Sequence, residues 1–261
     1  IEPFLSNCQN QTSTMKDNMV FGVHPVEEAL ASGNEIDRIF IVKSANHPGL
    51  QKLSSEARDR GISVKAVPIE KLHRLTRGNH QGVIAFMSAI DFADIESVVN
   101  QAMEKDEVPL IVVLDQITDV RNVGAIARSA ECCGVHGMIM GKDSSAPMSG
   151  DAVKSSAGAL LRVPMARAQS LPRAVTDLEM MGLQIIACSE KGDSLLSDVD
   201  FTLPTALIMG SEEKGISTAI WKTCSMHAKI ATVGEVASLN VSVAAGMALY
   251  EILNQRRKTQ D

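Results

Sequence analysis

Three short polar segments carry the residue types that a group-transfer site needs. Gly-Ser-Glu-Glu-Lys-Gly occupies positions 210–215, Ser-Leu-Asn-Val-Ser follows at 238–242, and Asn-Val-Gly-Ala-Ile-Ala-Arg precedes both at 122–128. The earliest supplies an amide and a guanidinium, groups suited to holding a phosphodiester. Asn122 is expected to cap the helix that opens there. Helix side chains lean toward the N-terminus, so Arg128 is expected to pass over Gly124, where no side chain blocks it. With the free N–H groups of the helix start, the two residues would form a phosphate seat. Gly210 is expected where a strand ends and a flat ligand ring can approach the backbone, with Glu212 and Gly215 shaping the turn into the next helix. Ser238 and Asn240 open a helix that is apolar on nearly every side from 241 to 249 and is therefore expected to be buried. Its small residues permit close packing, against the core or an identical subunit. Each segment has a plainer reading as a cap, a surface charge or a turn; their joint occurrence points to a site.

The elements that must position these residues alternate between strand-like and helix-like patterns. From Val20 the chain reads as a helix started by Pro25, a strand at 36–42, a helix at 48–60 closed by Gly61, a strand at 62–67, a short basic helix at 69–77 and a strand at 82–87. This is a small α/β domain over residues 19–90, after a polar tail at 1–18. Residues 91–108 read as an acidic linker helix and connector ahead of Pro109. In 109–261, short apolar runs at 110–114, 137–140, 183–187, 206–209 and 227–230 alternate with helical segments, the pattern of a parallel sheet covered on both faces. Ligands in such sheets sit beyond the strands' carboxyl ends, which points to the loops after Leu114, Met209 and Ile230.

Composition bounds the chemistry further. Apolar residues make up 45% of 261 residues, enough for a sizeable core. No apolar run approaches a membrane span, and the first 18 residues lack a basic start followed by an apolar stretch, so a cytoplasmic protein is expected. Five cysteines without metal-type spacing suggest reduced thiols and no zinc site. A net charge of −6 weighs against nucleic acid as a partner, yet Lys71, His73, Arg74, Arg77 and His80 form a local stretch without acids. Lys71, Arg74, Arg77 and His80 are the candidate RNA contacts, against the plainer reading of a solvated helix end.

Taken together, residues 122–128, 208–215 and 230–245 resemble the three motifs of the SpoU-type (TrmH-like) RNA ribose 2′-O-methyltransferases of the SPOUT superfamily, over roughly residues 109–257. The first domain, with its His80-Gln81-Gly82 segment, resembles the ribosomal-protein-like RNA-binding domain of enzymes that act on a guanosine of large-subunit ribosomal RNA. The resemblance implies a trefoil knot cradling S-adenosylmethionine, a homodimer that completes the active site, and methyl transfer to a ribose 2′-hydroxyl with no metal. It places cofactor contacts at Gly210, Ile230 and Leu239 and the catalytic set at Asn122, Arg128, Glu212, Ser238 and Asn240. A guanidinium is ordinarily a poor base, so Arg128 is expected to grip the RNA phosphate and stabilise developing alkoxide charge, the proton leaving to water or to a transiently neutral guanidine. The chain departs from the family at Val120 and Ala231, where proline is common. The competing readings are a transfer-RNA substrate, a non-catalytic RNA-binding ribosome-assembly protein, and a nucleotide-dependent oxidoreductase, the last disfavoured because no strand is followed by Gly-x-Gly-x-x-Gly.

Overall fold

The computed structural model of the chain describes residues 19–43, 47–143, 145–236 and 238–258; the expected tail at 1–18 lies outside them. The first unit runs β1 (Met19–Phe21), α1 (Val23–Ala31), β2 (Ile36–Val42), α2 (Pro48–Asp59), β3 (Ser63–Val67), α3 (Ile69–Leu75) and β4 (Val83–Met87). Its sheet has the order β1-β4-β2-β3, with β2 and β3 parallel and the other pairs antiparallel. Alternation along the strands decides what covers each face: Ile39, Ile41, Val83 and Ala85 pack with α1 and α2, while Phe40 and Ile84 meet Leu72 of α3. Helix α1 begins two residues ahead of Pro25 because a distant side chain closes it, Gln81 Oε1 accepting the Val23 N–H at 2.9 Å.

The second unit continues with α4 (Ile95–Glu104), β5 (Leu110–Asp115), α5 (Val120–Cys132), β6 (Gly137–Gly141), α6 (Gly150–Ser155), β7 (Met165–Ala168), α7 (Leu171–Met180), β8 (Gln184–Cys188), β9 (Ser194–Leu195), β10 (Thr205–Gly210), α8 (Thr218–Trp221), β11 (Met226–Lys229) and α9 (Val241–Lys258). Among the described residues it holds one parallel sheet of order β7-β6-β5-β10-β8-β11-β9. The inner strand β5 is buried throughout; Leu110, Val112 and Leu114 enter the core under α5 and α9, and Ile111 and Val113 enter the core under α4 and α7. Residues 91–108 are therefore not a free linker. Val99 is fully buried in the second core, and Ile95 and Val98 pack against it, because α4 has a strong apolar face that the sheet needs as cover.

A polar seam fastens the two units. Asp37 of β2, 2% exposed, accepts from Arg38 Nε at 2.6 Å, Arg167 Nη2 at 2.5 Å and the Met148 N–H at 3.1 Å. The Arg167 guanidinium also donates to the Asp37 carbonyl at 2.7 Å and lies 3.9 Å from the Phe92 ring centroid. Lys65 and Ser63 reach Asp143 across the same seam. Among the described residues no helix is long and apolar enough to cross a membrane.

Candidate functional site

Strands β10, β8 and β11 lie side by side, so the loops after their carboxyl ends share one opening. They enclose a hollow of about 510 Å³ lined by residues 188–191, 209–216, 229–232, 238–239 and parts of 241–244. Gly210, Ile230, Ser238 and Leu239 all line it. A second hollow of about 460 Å³ lies between the loop after β5 and the same 211–214 turn, and Asn122 lines it. Glu212 belongs to both walls.

The three motifs meet at that shared wall. Glu212 Oε1 accepts from Asn122 Nδ2 at 3.3 Å, from the Val241 N–H at 3.3 Å and, closely, from Asn240 Nδ2. Asn240 Nδ2 also donates to Asn122 Oδ1 at 3.2 Å. Asn240 Oδ1 accepts the N–H groups of Ser242 and Val243 at 3.0 and 3.3 Å and the Ser242 hydroxyl at 2.6 Å. One residue therefore closes the start of α9 with its oxygen and positions a carboxylate with its amide. That carboxylate lies at the N-terminal end of α9, where the helix dipole favours negative charge.

Four expectations change. Asn122 does not cap α5: the cap is Asp119, whose carboxylate accepts the Arg121 N–H at 2.8 Å, and Asn122 sits in the first turn with its amide turned to Glu212. The cap also supplies the fixed entry that Val120 cannot supply in place of proline. Gly124 is no passage for Arg128. Its open side is filled by Ser155 of α6, which any Cβ there would overlap. Arg128 is exposed and lines neither hollow; seven residues from Arg121, it shares the outer face of α5. Gly210 is required by the chain's own fold, since a Cβ there would overlap the backbone of Gly215 and Ile216, where the turn closes through Ser211 N–H to Gly215 O at 3.2 Å and Gly215 N–H to Ser211 O at 2.8 Å. Finally, α9 is not buried all round: Val243, Met247 and Tyr250, spaced along one stripe, are 51, 46 and 66% exposed.

The cationic cluster also divides. Arg74 and Arg77 are exposed, and Lys71 Nζ lies 4.6 Å over the Phe40 ring. His80 is 5% exposed and accepts the Gly82 N–H on Nδ1 at 3.0 Å; burial, with His73 beside it, lowers its pKa and keeps it neutral, so it is no phosphate-binding cation. Sequence reasoning missed the 188–191 loop as a wall of the larger hollow, although Ser-Glu-Lys-Gly after an apolar run was a usable signal. It also missed Asp115, buried at the end of β5, whose carboxylate accepts the Ser217 N–H at 2.6 Å and ties down the far side of the 210–215 turn.

Comparison with known proteins bears on this arrangement. Residues 109–250 match the model of the SpoU rRNA Methylase family, and residues 19–93 match that of RNA 2′-O ribose methyltransferase substrate binding. The chain is 30% identical over 243 residues to a putative TrmH family tRNA/rRNA methyltransferase, YacO, of Bacillus subtilis, covering 93% of this chain and 98% of that one. It is 31% identical to a Staphylococcus haemolyticus protein described in the same words, covering 95% and 99%. Among solved structures it is similar to the SpoU methyltransferase AviRb from Streptomyces viridochromogenes in complex with AdoMet, at 26% identity and a TM-score of 0.59, covering 92% and 90%.

Proposed function

The chain belongs to the SpoU family of RNA methyltransferases, and from that premise we propose that it transfers a methyl group from S-adenosylmethionine to a ribose 2′-hydroxyl of RNA. The observation that carries the reading is Glu212, held by Asn122 and Asn240 in the wall between two hollows. The larger hollow suits the cofactor. Leu195, Ile230 and Leu239 offer apolar surface to an adenine, Glu190, Glu212 and Glu213 offer negative charge to a sulfonium and an ammonium, and Lys191 and Lys229 face a carboxylate. Bound there, the cofactor supplies an electrophilic methyl group.

The protein's part is alignment. In-line displacement needs the sugar oxygen held on the axis of the breaking bond, and orientation of this kind removes roughly 7–11 kcal/mol of a barrier. Asn122 and Glu212 fix the rim of the smaller hollow, where the ribose enters, and Ser238 stands exposed beside Leu239 in the wall of the larger one. In this reading Arg128 holds the phosphate and the developing alkoxide charge, and the hydroxyl proton leaves to water or to a transiently neutral guanidine.

Arg128 reaches a site in a homodimer. What supports the dimer is the exposed stripe of Val243, Met247 and Tyr250 on α9, which adjoins α5, where Ser129 packs near Gly246; in such a pair we assign Arg128 to the partner's hollows. The same reading includes a trefoil knot, supported by β11 entering between β8 and β9 and by Gly192, where any side chain would overlap the Ala228–Lys229 backbone.

Ribosomal RNA is the substrate we favour, with a guanosine of the large subunit as the expected target. An AdoMet-bound rRNA methyltransferase from Sinorhizobium meliloti covers 90% of this chain at a TM-score of 0.57, whereas a TrmH/SpoU tRNA modifying enzyme of A. aeolicus covers 64% at 0.54. The difference in coverage is about the size of the first domain, which spans residues 19–93 in its family match. The test is mass spectrometry of ribosomal and transfer RNA from cells with and without the protein, with labelled cofactor and purified protein on the RNA that lacks the methyl. One ribose methyl missing from ribosomal RNA and restored in vitro is expected; no transfer to either RNA would overturn the reading. Arg128→Lys keeps charge but loses the planar fork, and parental transfer by that variant would remove Arg128 from the mechanism.

A further inference from the structure

The first domain contains a hollow of its own, about 660 Å³, where the end of α3 meets the loop before β4. That size falls within the roughly 300–1,000 Å³ of small-molecule pockets. Two imidazole rings form part of it, His73 and His80, with centroids 5.0 Å apart and planes at 45°. His80 accepts the Gly82 N–H on Nδ1, so the proton of its neutral ring sits on Nε2 as a donor of fixed position. Val42 and Ile69 add apolar surface, and Arg77 and Asn79 stand exposed among the lining residues, none of which is a carboxylate.

The loop that shapes this hollow is held from below. Gln81 and Gly82 take successive left-handed conformations, φ 47° and 84°. Gln81 commits its Oε1 to the Val23 N–H, and Gly78 lies so close to the Phe21 ring that a Cβ would overlap it. A rigid loop loses little entropy on binding.

We propose that this hollow takes one unpaired base of the RNA substrate. The inference rests on the RNA reading above and goes beyond it by naming the subsite and the feature it reads. Flat rings, a guanidinium plane and an amide are the groups that stack on a splayed-out base and hydrogen-bond its edge. A phosphate would instead select a cluster of cations, and here Arg77 alone among the described lining residues is one; Lys71 and Arg74 lie on α3 outside the hollow.

The test uses the full chain and two pools of labelled RNA hairpins, one with randomised unpaired loops and one with the same loops made abasic, read by fluorescence anisotropy. The parent protein is expected to bind the first pool about five- to a hundred-fold more tightly, the range that one stacked base supplies. His73→Ala and Asn79→Ala, both at exposed positions, should erase that preference while binding of the abasic pool and its salt dependence stay unchanged. Equal binding of the two pools by the parent, or a preference kept by both variants, overturns the proposal. Methyl transfer to RNA by the parent is measured separately, so failure of the enzymatic reading and failure of the base subsite are distinguishable.

Discussion

Asn240 and Glu212, 28 residues apart in the chain, are joined amide to carboxylate at the mouth of α9, and the same Asn240 closes that helix through its oxygen. The carboxylate accepts from two side-chain amides and one backbone N–H, so its orientation is fixed before any ligand arrives. Glu212→Ala should lower the rate of methyl transfer by roughly 10²-fold or more, about 3 kcal/mol, the scale of losing one preorganised group. Stability should change by under about 1 kcal/mol, because the residue is solvent-exposed. The loss in Asn122→Ala/Glu212→Ala should fall well short of the sum of the two single losses. Additive rate effects would show that the two groups act independently.

Gly210→Ala tests whether the 210–215 turn needs its glycine for folding. The added methyl meets the backbone of Gly215 and Ile216, which cannot rotate away, so a cost of about 1–3 kcal/mol is expected, with weaker cofactor binding. Gly234→Ala meets nothing within 4 Å and serves as the silent control. Thermal melts and calorimetry with S-adenosylmethionine measure both; a Gly210→Ala melt matching that control would refute the close-approach account.

These two glycines show what the sequence could and could not carry. Gly124 and Gly210 announced close approaches, but the approaching groups are Ser155, too distant in the chain to read, and the turn's own backbone rather than a ligand. Strand β2 matched its expected bounds, 36–42, because seven apolar or charge-paired residues alternate between two covered faces. Strand β7 was missed: Met-Ala-Arg-Ala is short, and its Arg167 is drawn inward by Asp37 of the other unit. The α9 stripe is exposed within the single chain, since apolarity does not say whether the cover comes from the same chain or an identical subunit. The convergence of Asn122, Glu212 and Asn240 was legible because their motifs sit at strand ends, where a parallel sheet gathers its loops.

The Asp37–Arg167 pair should fasten the first unit to the second. Removing one member of a buried pair leaves the other charge without its counter-ion, at about 3–5 kcal/mol. Asp37→Ala should therefore lower the urea midpoint steeply and expose the first unit to limited proteolysis before the second. A loss below about 1 kcal/mol would mean that the apolar contacts hold the seam unaided.

Burial pushes the thiols of Cys188 and Cys224 up to about 12 from an ordinary 9.0. The folded state favours the neutral thiol, so the contribution to stability is complete below pH 9.0 and is lost as pH climbs toward about 12. The urea midpoint should fall across that window, and Cys188→Ala should show a shallower fall than the parent; identical slopes would contradict the assignment. At pH 8, iodoacetamide should label exposed Cys132 well before buried Cys188 or half-buried Cys224, as mapped by mass spectrometry.

Met247→Glu tests the homodimer at the middle of the α9 stripe. A charge placed in an apolar interface is costly on both sides of the symmetry axis, so sedimentation should show a monomer. Cofactor affinity should persist, because residue 247 lines neither hollow, while methyl transfer is lost with the partner's Arg128. A sharper version mixes Arg128→Ala with Glu212→Ala. Each variant by itself should transfer at about a hundredth of the parental rate or less, yet if Arg128 serves the opposite subunit, a mixed dimer contains one site with both residues intact, and random reassociation recovers roughly a quarter of the parental rate. If Arg128 acted within its own chain, each mixed site would lack one group or the other and mixing would recover nothing.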